Sequence, residues 1–214
     1  MNGAQLCRLA ARLHRTYMGA MFIETETTPN PASLKFLPGR QVMTSGTREF
    51  ATPEAAEASP LAQAIFDTGE VTNVFFGSDF ISVTAAPGTS WTALKPQVVA
   101  ILLDHFVSEA PLFAGGDASG ISVPPESDDA LLVAEDPADA DIVAQINELL
   151  ETRVRPAVAG DGGDIAYRGF KDGIVYLTLQ GACSGCPSST ATLKHGIEGL
   201  LKHYVPEVIE VRAA

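Results

Sequence analysis

The chain has 214 residues, 46 % of them hydrophobic and 19 % charged, and a net charge of −12. That length suits one ordinary domain or two small ones, and the composition is too apolar for a disordered chain. No apolar run approaches the about eighteen residues of a membrane span, and the sequence lacks the basic stripe that would displace counterions from nucleic acid.

Residues 1–20 hold Arg8, Arg12 and Arg15 and no acid. With Leu6, Leu9 and Leu13 near one helical face, the segment has the composition of an organellar transit peptide, although it is short and poor in Ser. The competing expectation, which we favour, is translation from Met21 with residues 1–20 as an overhang. The three cysteines are Cys7, Cys183 and Cys186. An odd count with one close pair is not a secreted disulfide framework and points to a reducing, intracellular compartment. Cys7 stands alone and receives no role.

Residues 21–109 give a mixed pattern. Phe22–Glu26 is expected as a strand, ended by the two prolines of Thr28-Pro29-Asn30-Pro31, and Ser33–Leu37 as a second, closed by Pro38-Gly39. Ser59 is placed to cap a helix over Pro60–Asp67, with Pro60 in its first turn and Gly69 beyond it. Val71–Phe76 and Phe80–Thr84 suit a hairpin about Gly77-Ser78-Asp79. Ser90 is placed to cap a last helix with Leu94, Val98, Ile101, Leu102, His105 and Phe106 on one face. His105 is expected there as a packed core residue. This domain has no nucleophile–base pair and no ligand cluster, which makes it a binding or structural module.

Residues 110–136 interrupt any period with Gly115-Gly116 and Pro124-Pro125, and nine acids fall between 109 and 141 without a base. Such a stretch marks a flexible acidic linker. In the 137–214 domain, Ile142, Ile146, Leu149, Leu150 and Val154 form a helical stripe expected to end near Pro156. Asp161-Gly162-Gly163-Asp164 is a tight turn. Ile165–Phe170 and Gly173–Gln180 are strands joined at Lys171-Asp172-Gly173. After Cys183 and Cys186 come a helix with Pro187 in its first turn and a strand at Val208–Val211. The order α-β-β-α-β is that of a small α+β domain. The whole chain is thus expected as two small α+β domains joined by the linker.

Cys183 and Cys186 carry the chemistry. A Cys-x-x-Cys pair lets two thiolates converge on one metal centre. This one closes a strand and opens a helix, whose dipole should lower the thiol pKa. Gly181 and Gly185 relieve the backbone, and Ser184, Ser188 and Ser189 can donate to sulfur or cap the helix; together these residues suggest an exposed loop. Three uses of the pair compete: metal binding, thiol–disulfide exchange, and a buried pair without a ligand. A thioredoxin-like motif needs a βαβ unit before and after it, whereas here a hairpin precedes and one strand follows. Zinc and iron–sulfur sites usually take four ligands. His195, nine residues past Cys186, falls on the far face of the helix. Two thiolates per chain therefore point to a site shared between two chains.

The run Gly181-Ala182-Cys183-Ser184-Gly185-Cys186-Pro187-Ser188-Ser189-Thr190, with Thr192-Leu193-Lys194 and Gly196-Ile197-Glu198, closely resembles the cluster-binding domain of the NifU-like (Nfu) scaffold proteins. Asp161-Gly162-Gly163-Asp164 and Pro206-Glu207-Val208 also fit that pattern. Thr27-Thr28-Pro29-Asn30-Pro31-Ala32-Ser33-Leu34-Lys35-Phe36 resembles the N-terminal domain of many Nfu proteins. The resemblance implies a non-catalytic carrier. Its cargo would be a [4Fe–4S] cluster held by Cys183 and Cys186 of two chains, a homodimer when loaded. Its partners would be upstream cluster assembly proteins and apo iron–sulfur clients. A thiol–disulfide protein and a zinc-bridged dimer remain the alternatives. Nfu proteins occur in bacteria and in mitochondria. A start at Met21 looks bacterial and favours the cytoplasm; a targeting role for residues 1–20 would favour the mitochondrial matrix.

Overall fold

The computed structural model describes residues 22–115, 136–184 and 187–213, excepting the side chains of 187–189. Residues 1–20 with Cys7, most of the expected linker, Gly185 and Cys186 lie outside the described residues.

The first half forms one antiparallel sheet. Its strands β1 (Glu24–Thr27), β2 (Ser33–Leu37), β3 (Arg48–Phe50), β4 (Val71–Phe76) and β5 (Ile81–Ala85) run in the order β1-β2-β5-β4-β3. Helices α1 (Pro53–Ala56), α2 (Pro60–Phe66) and α3 (Trp91–Val107) follow β3 and β5. Strand side chains alternate between faces, and Phe36, Phe50, Val74, Phe76, Ile81 and Val83 point toward Leu61, Ile65, Leu94, Val98 and Leu102 of α2 and α3 to form one core. His105 is buried against Phe106, as expected.

Ser59 accepts from Ala62 N–H at the start of α2 and donates to Leu112 O at 2.6 Å, so it also ties the chain after α3 to α2. Ser90 departs from expectation: its side chain makes no capping bond, and its carbonyl instead accepts from Ala93 and Leu94. Strand β3 and helix α1 are too short to leave a period in the sequence.

The second half begins with α4 (Ala140–Leu149), a π turn (Leu150–Val154) and α5 (Arg155–Gly160). The helix expected to stop near Pro156 thus continues to Gly160. Arg155 N–H bonds to Leu150 O, one residue farther back than in an α-helix. This shift re-aims the carbonyls that the Pro156 ring would otherwise meet, and proline has no N–H to leave unpaired.

Strands β6 (Gly163–Lys171) and β7 (Ile174–Gly181) form a hairpin whose turn holds Asp172 at φ 52 and Gly173 at φ 78. Two positive φ values are what a two-residue turn matched to strand twist requires. Helix α6 (Pro187–Tyr204) then crosses to β8 (Glu210–Ala213), which pairs parallel to β7. Ile146, Leu150, Val158, Val175, Ile197 and Leu201 are among the side chains of this second core. Side chains also reach the two outer strands: Val211 N–H on β8 donates to Glu198 Oε2 at 3.1 Å, and Arg155 donates to Ile165 O on β6 at 3.0 Å. Among the described residues no helix is long and apolar enough to cross a membrane.

Candidate functional site

Two tight turns meet at the open end of the β6–β7 hairpin, where Gly163 pairs with Gly181. Gly162 at φ +83 brings the chain out of α5, and Gly181 at φ +68 takes it out of β7 toward Cys183. Ala182 N–H donates to Gly162 O at 3.1 Å, Ser184 N–H to Gly181 O at 3.1 Å, and Thr190 Oγ1 to Cys183 O at 3.1 Å. A Cβ on Gly163 would stand 2.8 Å from Cys183 Sγ and 2.5 Å from Gln180 O, so the thiol lies directly over that glycine. Beside it is a cavity of about 490 Å³, lined by Cys183, Asp161, Arg153, Leu193 and Leu200 and, from the first half, Pro29.

The turn is anchored by charge. Asp164, only 7 % exposed, receives Ile165 N–H at 2.7 Å and stands 3.1 Å from Arg155 Nε. Arg155 also pairs with Glu151 at 2.9 Å. A buried carboxylate needs such partners to offset its lost hydration.

Cys183 is 6 % exposed, so the loop is not open at this residue as its glycines and serines suggest. Burial, followed by the charges of Asp161 and Asp164, pushes its thiol up to about 12. The expected lowering by the helix dipole is thus reversed. Desolvation and two nearby carboxylates outweigh a partial charge that falls off within the first helical turn. Burial and the two carboxylates therefore favour the neutral thiol over the thiolate. Ser184 donates to Gly181 O at 2.8 Å, and His195 is exposed with its ring against Ala191 O. Among the described residues no three His, Cys, Asp or Glu gather as a metal site. Cys186 and the side chains of Ser188 and Ser189 lie outside them.

The residues that the sequence did not point to come from the first half. In register across its sheet stand Lys35, Ser82, Phe75 and Glu49, one each from β2, β5, β4 and β3. All four are on the face away from α2 and α3, and all four reach the two turns. Lys35 Nζ donates to Gly160 O at 3.3 Å and Ser82 Oγ to Gly162 O at 2.6 Å. The Phe75 ring would be 2.9 Å from a Cβ on Gly181. Glu49 Oε1 accepts from Gly181 N–H at 2.9 Å, Asn73 Nδ2 at 2.6 Å and Ser184 Oγ at 3.3 Å. Asn30 adds a bond from Nδ2 to Ala182 O at 3.2 Å, and Thr47 one to Asp164 Oδ2 at 2.9 Å. One signal was present: Val74-Phe75-Phe76 is an apolar run without alternation, as in strands covered on both faces.

The fold and the turn define a two-unit protein in which an antiparallel sheet, helices on its far side, lies over a small thiol-bearing α+β unit. Residues 23–109 match the family model described as scaffold protein Nfu/NifU N terminal, and residues 146–212 match the NifU-like domain. The chain is 50 % identical over 190 residues to NifU-like protein 4, mitochondrial, of Arabidopsis thaliana, covering 88 % of this chain and 64 % of that protein. It is 48 % identical over 189 residues to the human NFU1 iron-sulfur cluster scaffold homolog, mitochondrial, covering 88 % of this chain and 70 % of the relative. The chain thus spans about two thirds of the length of these relatives. It belongs to the Nfu/NifU family.

Proposed function

We propose that this chain is a non-catalytic carrier of iron–sulfur clusters. It holds a [4Fe–4S] cluster as cargo between Cys183 and Cys186 of two chains and passes it to apo-proteins. The observation that carries this reading is the Cys183 turn, which closes β7, precedes α6 and borders a cavity of about 490 Å³. The family membership and the word scaffold in the human relative's name support it. Each chain brings two thiolates and the cluster takes four, so loading makes a homodimer. Upstream cluster assembly proteins and apo iron–sulfur clients are the partners implied. The linker expected at 110–136 would start later, near residue 115, because Leu112 and Phe113 pack on the first core and Ala114 N–H donates to Ala58 O. The word mitochondrial in the relatives' names favours the mitochondrion over a bacterial cytoplasm.

Burial disfavours a thiolate at Cys183, so a thiol–disulfide enzyme would have to attack through Cys186. Anaerobic reconstitution with ferrous iron and sulfide tests the proposal. The expected product is a brown dimer with about one four-iron cluster per two chains, lost in Cys183→Ala and in Cys186→Ala. A full cluster on a monomer or on either variant would refute the shared site. A colourless zinc protein would replace it with the zinc-bridged dimer.

A further inference from the structure

The cross-strand row of the first unit grips the backbone on both sides of Cys183. Asn30 donates to Ala182 O before it, and Glu49 accepts from Ser184 Oγ after it and from Gly181 N–H at the end of β7. Bonds to an ionised carboxylate are stronger than neutral ones, and Glu49 is the one charged group among these three contacts with the turn. Phe75, 0 % exposed and outside the first unit's own core cluster, supplies an apolar seat against Gly181. The second face of the sheet is therefore built for an occupant, and the occupant is the cysteine turn of the same chain.

We propose that the first unit is a latch on the cysteine turn, with Glu49 as its bolt, and that taking up the cargo releases it. This rests on the carrier reading above. Gly181 N–H is a donor two residues from Cys183 that could bond to cluster or thiolate sulfur, and such bonds tune iron–sulfur sites. In the latched chain Gly181 N–H points at Glu49, while Ser184 O–H is held by Gly181 O at 2.8 Å with Glu49 Oε1 3.3 Å away. A four-iron cluster with four thiolates also brings net negative charge beside that carboxylate, and like charges at short range repel. Loading and latching thus compete for the Gly181 N–H, and sharing a cluster with a second chain requires Cys183 to leave its buried position. By linkage, whatever weakens the latch strengthens loading by that factor for each of the two chains that share the cluster. Release also bares Lys35, Asn73 and Phe75 on the first unit, which gives the loaded protein a face that the empty one hides.

The test uses the full chain. In the reduced, metal-free protein, iodoacetamide labelling of Cys183 is followed by mass spectrometry in wild type, Glu49→Ala, Glu49→Gln and Asn30→Ala/Glu49→Ala. Circular dichroism checks that each variant is folded. Removing a charged hydrogen-bond partner should speed labelling about tenfold, with Glu49→Gln in between because it keeps an acceptor. Small-angle scattering should find the empty wild type compact, and both the empty Glu49→Ala variant and the iron- and sulfide-loaded wild type extended. Equal labelling rates across all four folded proteins would overturn the latch, as would a loaded protein as compact as the empty one. If the chain takes up no cluster, the carrier reading fails on its own, and the labelling series still decides whether Glu49 holds the turn.

Discussion

The two units place their glycines for different reasons. In the first, Gly39, Gly46, Gly69 and Gly88 all have positive φ, yet a Cβ on any of them would meet nothing within 4 Å. They are punctuation between strands and helices, chosen for backbone freedom alone. In the second, Gly162, Gly173 and Gly181 also have positive φ, but added Cβ atoms there would stand 2.7–2.8 Å from Ser82 Oγ, Ile209 Cδ1 and Gly162 O respectively. Gly162 and Gly181 are close-approach points beside the thiol turn and the neighbouring unit, and Gly173 is one at the far end of the hairpin, against Ile209. The first unit has one such point, Gly77 in the β4–β5 turn, where a Cβ would run into the Phe80 ring, whereas the second places Gly162 and Gly181 at the turn that carries the chemistry.

Adjacent phenylalanines give the strongest test of that contrast. Phe76 is buried in the first core and packs edge-on to Phe50 with ring centroids 5.0 Å apart. Phe76→Ala should lower the unfolding free energy of that unit by about 3–5 kcal/mol, measured by denaturant titration. Phe75→Ala, one residue away on the opposite face, should cost that unit less and instead speed hydrogen exchange at Gly181 N–H. Equal losses from the two would mean that the sheet has one core, not two faces with separate duties.

The glycines come next. Gly181→Ala adds both φ strain and a collision with Phe75 and Gly162, and should destabilise by at least about 2 kcal/mol. Gly88→Ala carries the φ strain alone, about 1 kcal/mol. Thermal melts of the two variants should separate accordingly.

The smallest effect concerns pH. His105 has its pKa lowered by burial first and by Arg40 next, with Asp104 opposing. Because the folded value lies below the unfolded one, the associated stability is full above about pH 6.5 and is lost as pH falls through the lowered value. Melts between neutral and mildly acidic pH should steepen in that direction for wild type and less so for His105→Gln.

Local signals in the sequence were strong where one residue type decides the backbone. Ser33–Leu37 forms β2 over the span expected between the prolines and Pro38-Gly39, Ser59 caps α2, and Lys171-Asp172-Gly173 turns the hairpin. The thiol pair was visible from spacing alone. Its burial was not, because the groups that enclose Cys183 come from α6, from the carboxylates of Asp161 and Asp164, and from a sheet more than a hundred residues earlier. The π turn before Pro156 was hidden for a related reason: proline signals a helix stop only when the preceding ladder is regular. Glu49 looked like one more surface acid until β3, three residues long, set it in register with Phe75.

A three-stranded sheet has two outer strands for one inner strand, so most of its rim could template pairing with other chains. Here Glu198 occupies the outward N–H of Val211 on one rim, and Arg155 the outward carbonyl of Ile165 on the other. Glu210 and Arg212, paired at 2.8 Å, add charge along the first rim. Strand-by-strand polymerisation is thereby discouraged at both borders. Under the shared-cluster reading proposed above, copies would meet through their cysteine turns and not by zipping together at these edges.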